Sequence, residues 1–546
     1  MVKDRKLDYT LIFFCTIILI ICGFKWSVGL ENHLDILLGD EAEYMRNGLD
    51  LFDKVAKNWG PTYNLWYKFL SVFNHHPLEL YYINYKIGAI AIGVLLFILL
   101  VRYNVLIIVA FVIAFCYLFS DVNINAWPRV SNFVVILLLL YFISIKNISS
   151  FTIKLLLFSC VTFIGAFARP ELFIVAEISG VIAVLLSIYN YKDIRNNLPY
   201  LVLLIVIAIS LFYVYGKPAD SYLGIDRMYI AFCQHYAVAY NMRTHGNNTR
   251  AVVEWIDFIK PIFGDCKTVP EILSKHFSLV IPHVLFTTKS YLLSFLLHIL
   301  SFIFPLYLIK GTKKKLVLIV AMLVFIGFSL YNKKIRTSFL EKIKANKTTL
   351  LLAFAVSIPS IGMCMIIFPR QHYIMMQTIW IALLLGFLLT TIIENINFPK
   401  YTIIPIAFIL LMISPRATQY NSIQTQADIK NLCTQQFIRY MNTQDWKKEH
   451  TIFSNILNVH FLLNHPENYK QFNTEYMLQR MPTNVRFADI LKEQKIDIIF
   501  MNDAMHQESR LKNDTTWINL TAHPENYQFK KVIFGKDCQS YLLIKE

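Results

Sequence analysis

Charge is what this chain has least of. Asp, Glu, Lys and Arg make up 16% of 546 residues while hydrophobic residues reach 56%, and soluble domains carry about one quarter charged residues. That balance excludes an ordinary soluble protein and predicts a polytopic α-helical membrane protein. Acids are scarcer than bases, 36 against 52, for a formal charge of +16. The excess does not predict a nucleic-acid surface, because the basic residues gather in short runs beside apolar segments, as in Lys313–Lys315 and Lys333–Arg336. Such runs follow the positive-inside pattern and attract anionic lipid. The chain also lacks a phosphate-cradling P-loop, a dinucleotide fingerprint, clustered metal-binding cysteines, a low-complexity tract and any visible internal repeat. The last absence weighs against the inverted repeats of many transporters.

Twelve apolar segments approach the roughly 20 residues needed to cross a bilayer: 9–27, 83–101, 104–119, 131–145, 154–168, 171–189, 198–215, 290–309, 316–331, 348–368, 373–393 and 401–414. The basic start, with Lys3, Arg5 and Lys6, precedes an apolar run without a small-residue cleavage site, which predicts an uncleaved anchor. With that start inside, 28–82, 120–130, 168–171 and 216–289 fall outside. The basic stretches Lys310–Lys315 and Lys333–Lys347 then conflict, since both ask to be inside while one segment separates them. A re-entrant segment, a further crossing within 272–292, or one loop that breaks the rule would each resolve it. Eleven or thirteen crossings are expected, because an odd number puts the C-terminal part outside.

The chain divides into a transmembrane domain, 1–415, and a soluble domain, 416–546, with β-rich runs near 451, 496, 530 and 540 separated by helical stretches, hence a small α/β fold. The outer loop 216–289 reads as short amphipathic helices interrupted by Pro261, Pro270 and Pro282. Cys15, Cys22, Cys116, Cys160 and Cys364 lie in apolar spans as small core residues. Cys233, Cys266, Cys433 and Cys538 fall in the outer regions, where disulfides persist. Of the three connectivities open to them, Cys233 with Cys266 and Cys433 with Cys538 is preferred.

Chemistry concentrates first in LLGDEAEYMRNG, where Asp40 and Glu41 are adjacent acids soon after the first span. Asp40 and Glu43 fit a capping box, and the helix they would start carries Ala42, Met45, Leu49, Phe52 and Ala56 on one face, suited to the outer interface. Capping gives no reason for Glu41.

GDEAEYM at 39–45, HHPLELYY at 75–82 and the order of parts resemble the GT-C membrane glycosyltransferases, notably protein O-mannosyltransferases and the lipid A aminoarabinose transferase. The resemblance implies transfer of a sugar, with inversion, from a polyprenyl-phosphate carrier to a lipid, glycan or protein acceptor on the outer face of a bacterial inner membrane. Such a reaction needs a base for the acceptor hydroxyl and cations for the departing phosphate. Asp40 is then the expected base, and Glu41 orients the acceptor or Asp40. Arg169 in AFARPELF, with Glu171, and Arg370 in FPRQHY, with His372 and Tyr373 beside it, are the expected phosphate contacts. Asp121, in the turn that also carries Arg129, is a secondary candidate whose bland alternative is a solvated loop. His75 and His76 lack a metal-ligand spacing, and a divalent cation is left open. Tyr63, Trp66, Tyr67, Tyr81 and Tyr82 fit an interfacial aromatic belt. A flippase of lipid-linked sugars, a polysaccharide polymerase or ligase, and a membrane scaffold are the rival readings.

Overall fold

A computed structural model describes the chain except residues 1, 52–59, 126, 190–193, 219–226, 245–254, 310, 396–398, 420–431, 445, 447, 479–480, 482–484 and 536–537. Phe52, Ala56 and Lys310 of the expectations above therefore lie outside the described residues. Among the described residues, nine helices are long and apolar enough to cross a membrane. Three shorter apolar helices, α5 (Ile107–Leu118), α7 (Phe151–Ala166) and α19 (Ile403–Ile413), occupy the remaining apolar segments. Their core is mostly aliphatic and aromatic and also buries hydroxyl and amide side chains such as Asn132, Ser159, Thr162 and Thr378, as membrane helix interfaces do.

The basic runs on either side of α13 (Thr312–Tyr331) lie at opposite ends of the bundle. Lys315 pairs with Asp121 at 3.6 Å, whereas Lys342, on the following amphipathic helix α14 (Lys333–Ala345), pairs with Glu394 at the far end of α18 (Thr378–Glu394). Of the three ways out of the conflict, a single span with one irregular basic loop matches this arrangement. The further crossing within 272–292 does not: α12 (Val269–Ser301) spans 33 residues as two helical stretches joined across a kink at His276. Helices α10 (Arg227–Thr244) and α11 (Trp255–Phe263) form a small core with the start of α12, whose other end lies beside Tyr117 and Thr378 at the end of α5 and the start of α18. Pro261 and Pro282 lie inside helices rather than between them.

The C-terminal part contains a five-stranded sheet of order β2-β1-β3-β5-β4, with β1 (His450–Ser454), β2 (Tyr469–Asn473), β3 (Ile496–Met501), β4 (Phe529–Val532) and β5 (Tyr541–Lys545). β1 runs parallel to β2 and β3; β5 runs antiparallel to β3 and β4. The period of two sorts its side chains. Ile452, Ile498, Phe500 and Leu542 face helix α20 (Cys433–Asn442) in a core continuous with the bundle, whereas Phe453, Ile499, Met501 and Leu543 meet the helices Phe487–Glu493 and Thr515–Ala522.

Cys433 and Cys538 form a disulfide that ties the start of α20 to the segment before β5. The other expected pairing is not made: Cys233 and Cys266 are free thiols buried in the α10–α12 core. Cys233 packs there with its thiol against the Tyr229 hydroxyl, as a small apolar residue would.

Candidate functional site

Helix α2 (Asp40–Leu49) starts at Gly39, whose φ of 127° and ψ of −133° only glycine adopts readily. Gly39 is therefore the cap, and the expected Asp40–Glu43 capping box is not the device that starts the helix. Asp40 is the first helical residue and is exposed, while Glu41 points inward. Gly48 lets α2 lie against α3 (Pro61–Leu70), since a Cβ there would stand 2.6 Å from the Asn64 carbonyl oxygen. The apolar face of α2 meets α3 and the turn Val459–Leu462 of the C-terminal domain, and is not spread on an interface as its amphipathic pattern predicts.

Glu41 sits in a cage of neutral donors. The Tyr63 hydroxyl donates to its Oε1 at 2.6 Å and Asn84 Nδ2 at 3.1 Å, and the Tyr67 hydroxyl donates to the same oxygen. Asn84 also donates to both phenol oxygens and accepts from Trp66 Nε1 at 2.8 Å. Burial pushes the Glu41 carboxyl up to about 8, the two tyrosine hydroxyls acting against that rise and Asp40 adding to it. Its three contacts bind it to protein groups on α3 and α4 (Pro77–Arg102). The tyrosines expected in an aromatic belt are interior: Tyr63, Tyr67, Tyr81 and Tyr82 are all buried. The i, i+4 spacing of Tyr63 and Tyr67 was the signal in the sequence that both hydroxyls could meet one partner.

Three arginines gather at one end of the bundle. Arg129, Arg169 and Arg370 stand at the starts of α6 (Val130–Ser144), of the turn Pro170–Leu172 that runs into α8 (Phe173–Tyr189), and of α17 (Gln371–Ile374), which leads into α18. Each neighbours a proline, Pro128, Pro170 or Pro369. Proline ends or begins a helix, so each turn places its arginine at a helix N-terminus, where backbone N–H groups favour an anion.

Arg169 pairs with Glu171, its Nε donating at 2.8 Å, and its guanidinium stacks over the Tyr373 ring at 4.9 Å. Burial opposes the Arg169 charge, but Glu171, Tyr373 and Tyr44 outweigh it and raise its pKa. Tyr44 lies one turn beyond Asp40, packed edge-on against Tyr63 at 5.3 Å, and so connects α2 to this end. Arg129 reaches His372 Nδ1 and Gln371 Oε1, both at 3.4 Å, and lies over Trp127 at 4.7 Å. Its buried Nε has no hydrogen-bond partner among the described residues. Burial, then Arg370 and Arg169 among its neighbours, push the Arg129 guanidinium down to about 10. Arg370 is exposed and also acts on His235, which burial and that charge hold well below the usual histidine range.

Arg169, Glu171, Arg370, His372 and Tyr373, singled out from sequence, are thus brought together. Arg129 joins them, although the sequence reading left it beside Asp121 as part of the same turn. The Pro–Arg dipeptide in a short turn between apolar segments, shared with Arg370, was the signal for it. Asp121 is half-exposed and paired with Lys315. His75 and His76 are exposed, and among the described residues no group of three or more His, Cys, Asp or Glu side chains could hold a metal ion. Compared with known proteins, the chain matches no family model and no curated sequence.

Proposed function

We propose that this is an integral-membrane glycosyltransferase of the lipid-phosphate-sugar class, acting at the outer face of a bacterial inner membrane on an envelope glycan, lipid or protein acceptor. The observation that carries the reading is the convergence of Arg129, Arg169 and Arg370 at three helix starts, on the end of the bundle where Tyr44 brings in the helix that bears Asp40. Guanidinium groups bind phosphate oxygens in bidentate fashion, and helix N-termini add favourable partial charge.

In this reading the donor phosphate lies among the arginines with its polyprenyl chain between apolar helices. Asp40 takes the proton of the acceptor hydroxyl as that oxygen attacks the anomeric carbon from the face opposite the phosphate. The bond from that carbon to the phosphate oxygen breaks, its electron pair stays with the phosphate, and the sugar is inverted. The leaving phosphate gains one negative charge, so the arginines act more strongly on the transition state than on the bound donor. Glu41 serves by fixing α2, and Glu171 by holding the Arg169 guanidinium over Tyr373.

The test is transfer of labelled sugar from a polyprenyl-phosphate donor to extracted envelope acceptors by membranes containing the protein. The Asp40→Asn variant should lose activity by about a thousandfold, within the range for removal of a general base, while remaining folded and inserted. Equal rates for variant and wild type would remove Asp40 from the chemistry.

A further inference from the structure

The C-terminal domain holds the start of α2 by two separate contacts. Asp35, only 2% exposed, accepts the backbone N–H groups of Thr434 at 2.7 Å and Gln435 at 2.9 Å, besides that of Ile36 at 2.8 Å. An acid of the first loop therefore caps α20, whose own preceding residue, Leu432, has φ 52° and offers no side-chain cap. Gln435 returns the contact, donating to the carbonyls of Glu31 at 3.0 Å and Leu34 at 3.1 Å and to the Tyr82 hydroxyl at 2.6 Å. The second contact falls next to Asp40: Asn458 Nδ2 donates to the Gly39 carbonyl oxygen at 3.2 Å.

Gly39 is the residue whose unusual backbone begins α2. Its carbonyl direction and the placing of the next residue, Asp40, are set by the same peptide, which Asn458 holds. Asn458 itself has φ 61°, a left-handed conformation that asparagine tolerates better than most residues. The turn that follows it, Val459–Leu462, packs on α2, and Val459 and Leu462 belong to the core shared with the bundle. The opposite anchor, α20, is fastened to its own sheet through Cys433–Cys538.

We infer that Asn458 is a positioning residue for Asp40: the C-terminal domain fixes the entry to α2, and with it the direction of the Asp40 carboxylate. The catalytic part rests on the reading of Asp40 as the base, whereas the positioning part stands on its own geometry and is measured separately.

The full-length protein in detergent or lipid discs is compared with Asn458→Gly and Asn458→Asp. Both variants permit the left-handed backbone, and neither can donate to the Gly39 oxygen. Amide hydrogen exchange over residues 40–44 should quicken about fivefold, the size expected for one lost neutral hydrogen bond, while exchange in β3 stays unchanged. In the transfer assay both variants should lower kcat with little change in KM for the lipid donor, since the arginines are untouched. Unchanged exchange at 40–44 in both variants would overturn the inference, whatever the activity. If exchange quickens but the wild type transfers no sugar, the positioning stands and the glycosyltransferase reading fails.

Discussion

Two charged regions close to each other are built in opposite ways. The Glu41 cage surrounds one acid with neutral donors, all from residues 41–84, and burial keeps that acid protonated near neutral pH. The arginine cluster draws on three turns far apart in sequence and crowds cations together, with Arg129 pushed down and its Nε without a partner among the described residues. A buried acid that is neutral and hydrogen-bonded meets a smaller burial cost than a buried charge. Cations held against one another meet a larger one, because each raises the cost of the next; under the proposed function the donor phosphate would offset that cost. In the same proposal, Glu41 serves structure, the arginines serve binding and the exposed Asp40 serves the chemistry.

The comparison can be broken most forcefully at the arginines. Arg169→Ala should weaken donor binding by about 2–4 kcal/mol, or about 30- to 1000-fold in Kd, as loss of a charge-assisted phosphate contact does; titration with a short-chain lipid phosphate checks it. The cage should respond in stability instead. Glu41→Ala opens a buried void and strands three donors, at a cost of about 3 kcal/mol, read as a lowered Tm.

Glu41→Gln sharpens the contrast through pH. In the folded protein Glu41 keeps its proton up to about pH 8, whereas an ordinary glutamate loses it near 4.5. Between those values the folded state binds the extra proton, so stability falls as pH rises and levels off above about 8. Asp35, pushed up to about 6 chiefly by burial, adds a fall of the same sign that ends near that pH. From pH 6.5 to 8 the Tm of the wild type should therefore decline, and that of Glu41→Gln should decline less. The smallest effect belongs to Asp121→Asn, which breaks only a surface ion pair with Lys315. It should change stability by less than about 1 kcal/mol and leave transfer rates nearly unchanged.

What could be read in advance follows from the range of the forces involved. Apolar segments report themselves locally, and eleven of the twelve coincide with apolar helices, whereas 290–309 is helical only to Ser301 and belongs to a helix that starts at Val269; four of the five strands announce themselves by β-rich composition. The fifth, Tyr469–Asn473, is polar and exists because β1 pairs with it. The extent of α12 was missed because Pro282 reads as a stop, although a long helix absorbs it. At the site, Arg169 and Arg370 were legible as charges between apolar spans. The inward turn of Glu41 was not, because it depends on Asn84, 43 residues away, and no local pattern distinguishes it from Asp40. The expected capping box failed for a similar reason: Gly39 can start the helix by its backbone alone. Likewise Cys233 and Cys266 share a core without bonding, since closeness in fold is necessary for a disulfide and not sufficient.

The central claim is that the three proline-flanked arginines form one site for a lipid-linked phosphate. Its most direct measurement is the thermal shift of the purified protein on adding a short-chain polyprenyl phosphate, for wild type, Arg129→Ala, Arg169→Ala and Arg370→Ala. The account predicts a rise in Tm for the wild type that is diminished in all three variants. An equal rise in every variant, or none in the wild type, would contradict it.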